Sequence, residues 1–189
     1  MNKFIKDQIS LLKPSATLAI NEESNRLTKI GKKVYKFGFG QSPFPVPESI
    51  VSALKNNANK NTYLPMQGLG ELRSAIANHL NQSNNNDFVA ENIIVGPGTK
   101  ELMFLTQIAF AGEILLPAPS WVSYQPQAVI AKNKVHWIQT VKSSNWFPTA
   151  EQLENKIKSI KNKKLLLFMN SPNNQSGTVC KNLKEIAEV

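Results

Sequence analysis

The sequence predicts an α/β fold built on a mostly parallel sheet, and three observations carry that prediction. From Asn92 onward, short apolar runs alternate with segments of helical periodicity. The run Leu165-Leu166-Leu167-Phe168-Met169 is apolar without alternation, as in a parallel strand covered on both faces. The apolar runs also give way to turns rich in Gly, Pro or Asn. Repeating strand-helix units of this kind imply parallel strands joined by right-handed crossovers.

Taken in order, residues 1 to about 30 read as a polar lead-in with an apolar cluster at Ile9, Leu11 and Leu12. A short strand is expected at Val34–Phe39. It runs into Gly40-Gln41-Ser42-Pro43-Phe44-Pro45-Val46-Pro47, where the prolines forbid helix. Glu48–Asn57 reads helical through Ile50, Val51 and Leu54, and Gly68–Leu80 through Leu69, Leu72, Ile76 and Leu80. Ile93-Ile94-Val95 is expected as a strand before the turn Gly96-Pro97-Gly98-Thr99 and a helix over Lys100–Phe110. The next strand is Ile114-Leu115-Leu116, followed by a helix near Tyr124–Ala131 and a strand at Lys134–Ile138. Thr149 caps a helix reaching about Ile160, the strand at Leu165–Met169 follows, and residues 181–189 begin a helix.

The 189 residues carry a net charge of +9, with 41% hydrophobic and 19% charged residues, which excludes disorder and low complexity. All but Arg26 and Arg73 of the 22 basic residues are Lys, scattered along helix surfaces. Bidentate readout of phosphate or base favours Arg, so the charge reads as a solvated surface and nucleic acid is not expected as a partner. Cys180 alone cannot build a disulfide framework or a thiolate cluster, and His79 and His136 lie far apart, so no metal site is expected. The most apolar stretch, Leu102–Leu116, is broken by Gln107, Gly112 and Glu113, and no membrane span is expected. The lead-in shows no secretory signal, which points to the cytoplasm.

Parallel sheets bind ligands at the carboxyl ends of their strands, and three expected loops there stand out. In Gly96-Pro97-Gly98-Thr99-Lys100, Gly98 permits close backbone approach. The amides of Thr99 and Lys100 open a helix and the Thr99 hydroxyl adds a donor, which together make a phosphate cradle. An ordinary Thr cap after a turn reads the same residues without a ligand. Neither a Walker spacing nor a dinucleotide fingerprint is present. Pro117-Ala118-Pro119-Ser120-Trp121 delivers an indole to the strand end, where it either stacks on a planar ring or closes the core beneath the loop. Asn170-Ser171-Pro172-Asn173-Asn174-Gln175-Ser176-Gly177 offers amide donors in a turn, or is simply a polar turn. The Asn-Pro-Pro-aromatic loop of amino-methyltransferases is a rival reading, but Ser171 interrupts the dipeptide and Asn173 replaces the aromatic.

In combination these segments resemble the fold-type I aminotransferases that use pyridoxal 5′-phosphate, specifically class I/II enzymes of the bacterial aspartate aminotransferase kind. The resemblance runs from about Leu12 to the last residue. It includes Lys13-Pro14-Ser15-Ala16-Thr17-Leu18-Ala19-Ile20, Gly38-Phe39-Gly40, Tyr63-Leu64-Pro65 with Gly68 and Glu71-Leu72-Arg73, and then the Gly98, Trp121 and Asn174 loops in order.

The resemblance implies an α/β/α large domain that this chain holds incompletely. Residues 1–45 would be the N-terminal arm and a small-domain segment, and residues 46–189 the first part of the cofactor-binding large domain. It implies that Gly98, Thr99 and Lys100 hold the cofactor phosphate, that Trp121 stacks on the pyridine ring, and that Asn174 donates to the ring's phenolic oxygen. Gly40 would meet the substrate carboxylate through its backbone, with Trp121 and Asn174 also bordering the substrate. Tyr63 would reach the phosphate of a partner subunit, which implies a homodimer. The chain departs from the family pattern at Gln41-Ser42-Pro43-Phe44, where Glu-Pro-Asp-Phe is usual, and at Gln175-Ser176-Gly177, where Pro-Thr-Gly is usual. The missing proline would loosen the turn after Asn174.

The resemblance also implies what to expect elsewhere. A Schiff-base lysine, an aspartate for the pyridinium nitrogen and an arginine for the substrate carboxylate would all lie beyond residue 189, so no catalytic residue is assigned here. The chain would supply the first four strands of the large domain. Later strands would separate the first from the fourth and the fourth from the second, leaving only the second and third with a native neighbour. The isolated chain is therefore expected to fold poorly, and its last helix stops without a capping signal. The expected activity of the complete protein is transfer of an amino group from an amino acid to a 2-oxo acid in amino-acid biosynthesis. Related fold-type I lyases and acyltransferases share these loops and form the alternative, and an inactive or partner-dependent fragment is a third.

Overall fold

The computed structural model describes residues 4–10, 12–38, 40, 42–84 and 86–189. Leu11 of the expected apolar cluster, Phe39 of the expected first strand and Gln41 of the proline loop lie outside the described residues. In chain order the helices are α1 (Asp7–Ser10), α2 (Ala16–Lys29), α3 (Glu48–Asn57), α4 (Gly70–Asn84), α5 (Thr99–Ala109), α6 (Tyr124–Ala131), α7 (Ala150–Ser159) and α8 (Leu183–Ala187). The strands are β1 (Glu113–Ala118), β2 (Val135–Gln139) and β3 (Leu165–Leu167). The chain forms two compact units, one from residues 1–16 and 102–189 and the other from residues 17–101.

The first unit is a parallel three-stranded sheet in the order β2-β1-β3, with Leu115 paired to His136 on one side and to Leu167 on the other. Successive residues of β1 point to opposite faces. Ile114 and Leu116, both fully buried, pack with Tyr124 and Ala128 of α6 and with Met103, Phe110 and Trp121. Leu115 packs on the other face with Ile138, Leu153 of α7, Ile160 and Ile186 of α8. Helices therefore cover both faces of β1, and each of these aliphatic side chains contributes about 1.5–3 kcal/mol through burial. A buried amide pair, Gln107 Nε2 to Gln127 Oε1 at 3.1 Å, joins α5 to α6. The expected cap of α7 is present: the Thr149 hydroxyl accepts the Gln152 N–H at 3.1 Å and the Gln152 side chain accepts the Thr149 N–H at 3.0 Å.

The strand order corrects one implication of the resemblance. The fourth expected strand lies directly beside the second, because Glu113 N–H donates to Lys164 O at 2.9 Å and Phe168 N–H to Leu115 O at 3.1 Å. The connection through α6 carries the chain from β1 to β2, and the connection through α7 carries it back past β1 to β3. The order thus reverses at β1, and the loops after β1 and β3 diverge at that point. β3 is shorter than Leu165–Met169 and only half-buried, as suits a strand paired on one side among the described residues.

The second unit is helical and irregular, with Ala77 and Arg73 buried. Two expected strands are not formed. Residues 34–38 lie along α2, where Lys36 Nζ donates to Asn25 Oδ1 at 2.7 Å and a Cβ on Gly38 would sit 3.3 Å from Ile20. A helix offers no open ladder to pair with. Ile93-Ile94-Val95 is extended but meets the turn at Gln67-Gly68 rather than a strand, through one backbone bond from Val95 N–H to Gln67 O at 3.0 Å. The lead-in contains a helix that its polar character concealed, α2, braced by a bidentate pair from Arg26 to Glu23 that holds the glutamate carboxyl below its ordinary range.

Candidate active site

The loop after β1 is held by its carbonyls. The Ser120 hydroxyl donates to Pro117 O, the Thr140 hydroxyl to Ala118 O at 2.5 Å, and Asn173 Nδ2 to Pro119 O at 3.4 Å. Trp121 emerges from it half-buried. Its ring meets Tyr124 edge-on with centroids 5.6 Å apart, and Tyr124 stacks on Phe168 at 5.3 Å. One side of the indole thus closes the core as a structural tryptophan does, while the residue keeps part of its surface outside. Burial pushes the Tyr124 phenol above its ordinary range.

The loop after β3 is built around Asn173, a residue only 5% exposed. Its Oδ1 accepts the N–H groups of Gln175 and Ser176, each at 3.0 Å, and Gly177 N–H closes the turn onto Asn173 O at 2.8 Å. The Thr178 hydroxyl ties the loop to Asn145 O at 2.6 Å. Asn174 stands exposed on this turn. Its Oδ1 accepts from Gln175 Nε2 at 3.2 Å, and Nδ2 is the side chain's donor group. Because β1 and β3 are neighbours, the structure brings the Trp121 and Asn174 loops side by side at the carboxyl edge of the sheet, joined through Asn173 and Pro119.

Gly40, Tyr63, Gly98, Thr99 and Lys100 belong to the second unit. Gly98 has φ +137°, a conformation that favours glycine, and a Cβ there would meet nothing within 4 Å. Thr99 is the first residue of α5, and the amides of Thr99 and Lys100 lie at the positive end of the helix, ahead of the bond from Glu101 N–H to Gly98 O at 3.1 Å. Tyr63 is fully exposed. Its segment meets the strand-like residues before the Gly98 turn through Gln67 and Val95. Gly40 is exposed, with open space where a Cβ would stand.

Taken separately, the start of α5 with the Thr99 hydroxyl is chemically suited to an anion, the Trp121 indole to a planar ring, and the Asn174 carboxamide to an oxygen acceptor. Among the described residues no group of three or more His, Cys, Asp or Glu converges as a metal site, and no helix is long and apolar enough to cross a membrane.

The family model described as aminotransferase class I and II matches residues 32–189. The chain belongs to this family. Pyridoxal 5′-phosphate is the cofactor expected of these aminotransferases. The chain is 34% identical over 197 residues to a probable aspartate/prephenate aminotransferase of Aquifex aeolicus, covering 100% of this chain and 49% of that protein. It is 31% identical over 196 residues to an aspartate aminotransferase of Bacillus sp. (strain YM-2), covering 100% of this chain and 49% of the relative. Its structure superposes on the aspartate aminotransferase of Thermus thermophilus with maleate at a TM-score of 0.87 and 28% identity, over 97% of this chain and 49% of that one. The α/β fold with its parallel sheet is thus the fold-type I architecture. The chain spans about half the length of the curated relatives it matches.

Asn173 in the first unit and Arg73 and Gln67 in the second anchor the loops that carry the candidate residues of their own unit, and sequence reasoning did not single them out for it. Their partners lie at Pro119, Ala90 and, through the Gln67 backbone, Val95, so only a folded chain displays them. The doubled Asn173-Asn174 was the one local signal, since an Asx turn needs an asparagine just ahead of the residue it presents.

Proposed function

We propose that the full-length protein is an aspartate aminotransferase-like transaminase, moving the amino group of an amino acid to a 2-oxo acid with pyridoxal 5′-phosphate. The observation that carries this reading is the pairing of the Trp121 and Asn174 loops where the strand order reverses, in a chain of the class I/II family. When bound, the cofactor supplies an electron sink for the pair released at the substrate's α-carbon.

This chain's residues bind and orient. Thr99, with the first amides of α5 and Lys100, takes the phosphate, and Trp121 lies against the ring. Asn174 Nδ2 donates to the phenolic oxygen, which favours the ring's electron-withdrawing state, and the Gly40 backbone meets the substrate carboxylate. Trp121 and Asn174 also border the substrate. We assign the covalent lysine, the aspartate at the ring nitrogen and the carboxylate-binding arginine to the part of the relatives' length that this chain does not span.

The exposure of Tyr63 supports its reaching a partner subunit's phosphate in a homodimer. Residues 1–45 serve as arm and small-domain segment, and residues 46–189 as the first part of the large domain. We place the enzyme in the cytoplasm, where the single thiol of Cys180 needs no oxidising partner, and in amino-acid biosynthesis. The relatives named aspartate/prephenate aminotransferase make aspartate the first donor to test and prephenate a candidate acceptor.

The test is absorption spectroscopy of the full-length protein. Added pyridoxal phosphate should produce a visible band that aspartate bleaches and a 2-oxo acid restores. No band with the cofactor would end the reading, and a band that aspartate leaves unchanged while another amino acid bleaches it would move the substrate assignment.

A further inference from the structure

We propose that Arg73 is a positioning residue that holds the Tyr63 segment and the phosphate turn of Gly98-Thr99-Lys100 at a fixed spacing; the inference rests on the cofactor reading above. Arg73 lies within α4 and is only 9% exposed. Its Nε donates to Ala90 O at 3.0 Å and its Nη1 to Gln67 Oε1 at 2.8 Å. Both partners are neutral oxygens, so this buried cation is placed by directional hydrogen bonds rather than by an opposite charge.

The two bonds reach the two segments that matter. Ala90 opens the short 3-10 turn Ala90–Asn92, which leads through Ile93-Ile94-Val95 into the phosphate turn. Gln67 closes the segment that begins at Tyr63, and its backbone carbonyl accepts Val95 N–H at 3.0 Å. Gly68, at φ +99°, lets the two chains meet: a Cβ there would stand 2.7 Å from Val95 Cβ. Arg73 therefore grips both sides of a contact whose one backbone bond sits three residues before Gly98. A lysine carries the charge but not the fork, and cannot make both bonds in one geometry.

The experiment compares full-length wild type with Arg73→Lys and Gln67→Leu, the latter at an exposed position, with urea unfolding confirming that each variant is folded under the titration conditions. Titrations with pyridoxal phosphate and with pyridoxal, which lacks the phosphate, are read beside amide hydrogen exchange at Val95. Both variants should bind pyridoxal phosphate about tenfold more weakly, bind pyridoxal as wild type does, and exchange the Val95 amide faster. Equal weakening toward both ligands, or unchanged exchange at Val95, overturns the proposal. A wild type that does not prefer the phosphorylated ligand overturns the cofactor reading itself. Intact preference in wild type and variants alike overturns only the role of Arg73.

Discussion

The side-chain oxygen of Asn173 accepts the backbone N–H of Gln175 at 3.0 Å, at the position where the family pattern has a proline and no N–H exists. The turn that was expected to be loosened by the missing proline is restrained instead by an Asx turn, with Ser176 N–H as a second donor at 3.0 Å. Asn173→Ala should cost about 1–3 kcal/mol, because two part-buried turn amides lose their shared acceptor. Gln175→Pro loses one bond, about 1 kcal/mol, and regains about 0.4–1 kcal/mol by restricting the unfolded chain. The double variant should cost less than the sum, since the Gln175 N–H has no partner to lose once Asn173 is gone. Urea unfolding of the four proteins measures this, and strictly additive costs would count against the Asx turn.

Gly98 and Gly40 make a controlled pair. Both have open space where a Cβ would stand, but only Gly98 has a left-handed φ. Gly98→Ala should therefore destabilise by about 1–3 kcal/mol through backbone strain and weaken pyridoxal phosphate binding. Gly40→Ala should leave stability unchanged and raise the KM for the amino-acid substrate. An unchanged KM would remove Gly40 from the substrate site.

The contrast between formed and unformed strands shows what the sequence can carry. The runs at 114–116, 135–138 and 165–167 are strands because each finds a parallel neighbour, whereas 34–38 and 93–95 also carry strand-forming residues but find a helix and a turn. Apolar pattern is local and a ladder is not, so pattern alone reads all five alike. The helices α3 to α7 were legible because 3.6-residue periodicity and the Thr149 cap are local properties. α2 was readable only from its helix-forming Ala, Leu and Glu and the Glu23–Arg26 spacing, which the preceding Lys13-Pro14 masked. In the site, Trp121 and Asn174 were visible as loop residues through the order of their motifs, but the side chain that joins them, Asn173, bonds a carbonyl far away in sequence.

Tyr124 links Trp121 to Phe168, and burial raises its phenol pKa. Above about pH 10, the ordinary phenol value, the unfolded chain releases a proton that the folded chain retains. Stability is therefore full below that pH and falls as pH rises toward the higher folded value. Tyr124→Phe should flatten this alkaline loss. Unfolding midpoints from pH 8.5 to 11 compare the two proteins, and identical pH profiles would show that the phenol does not contribute.

Glu113 and His136 test the assignment of function to one end of the sheet. The Glu113 carboxylate pairs with His136 Nε2 across the amino-terminal ends of β1 and β2, with both side chains largely buried. The loops of Trp121 and Asn174 leave the opposite, carboxyl ends. Removing the carboxylate strands a largely buried imidazole, so Glu113→Ala should lower stability by about 1–3 kcal/mol. The contacts that hold the Trp121 loop run through Thr140 and Asn173 and do not involve Glu113. Pyridoxal phosphate affinity of the folded Glu113→Ala protein should therefore match wild type, while Asn173→Ala, at similar cost in stability, should weaken it. Unfolding and cofactor titration on both variants separate the two effects. Equal losses of affinity would mean that general softening of the sheet, rather than the carboxyl-end loops, controls cofactor binding.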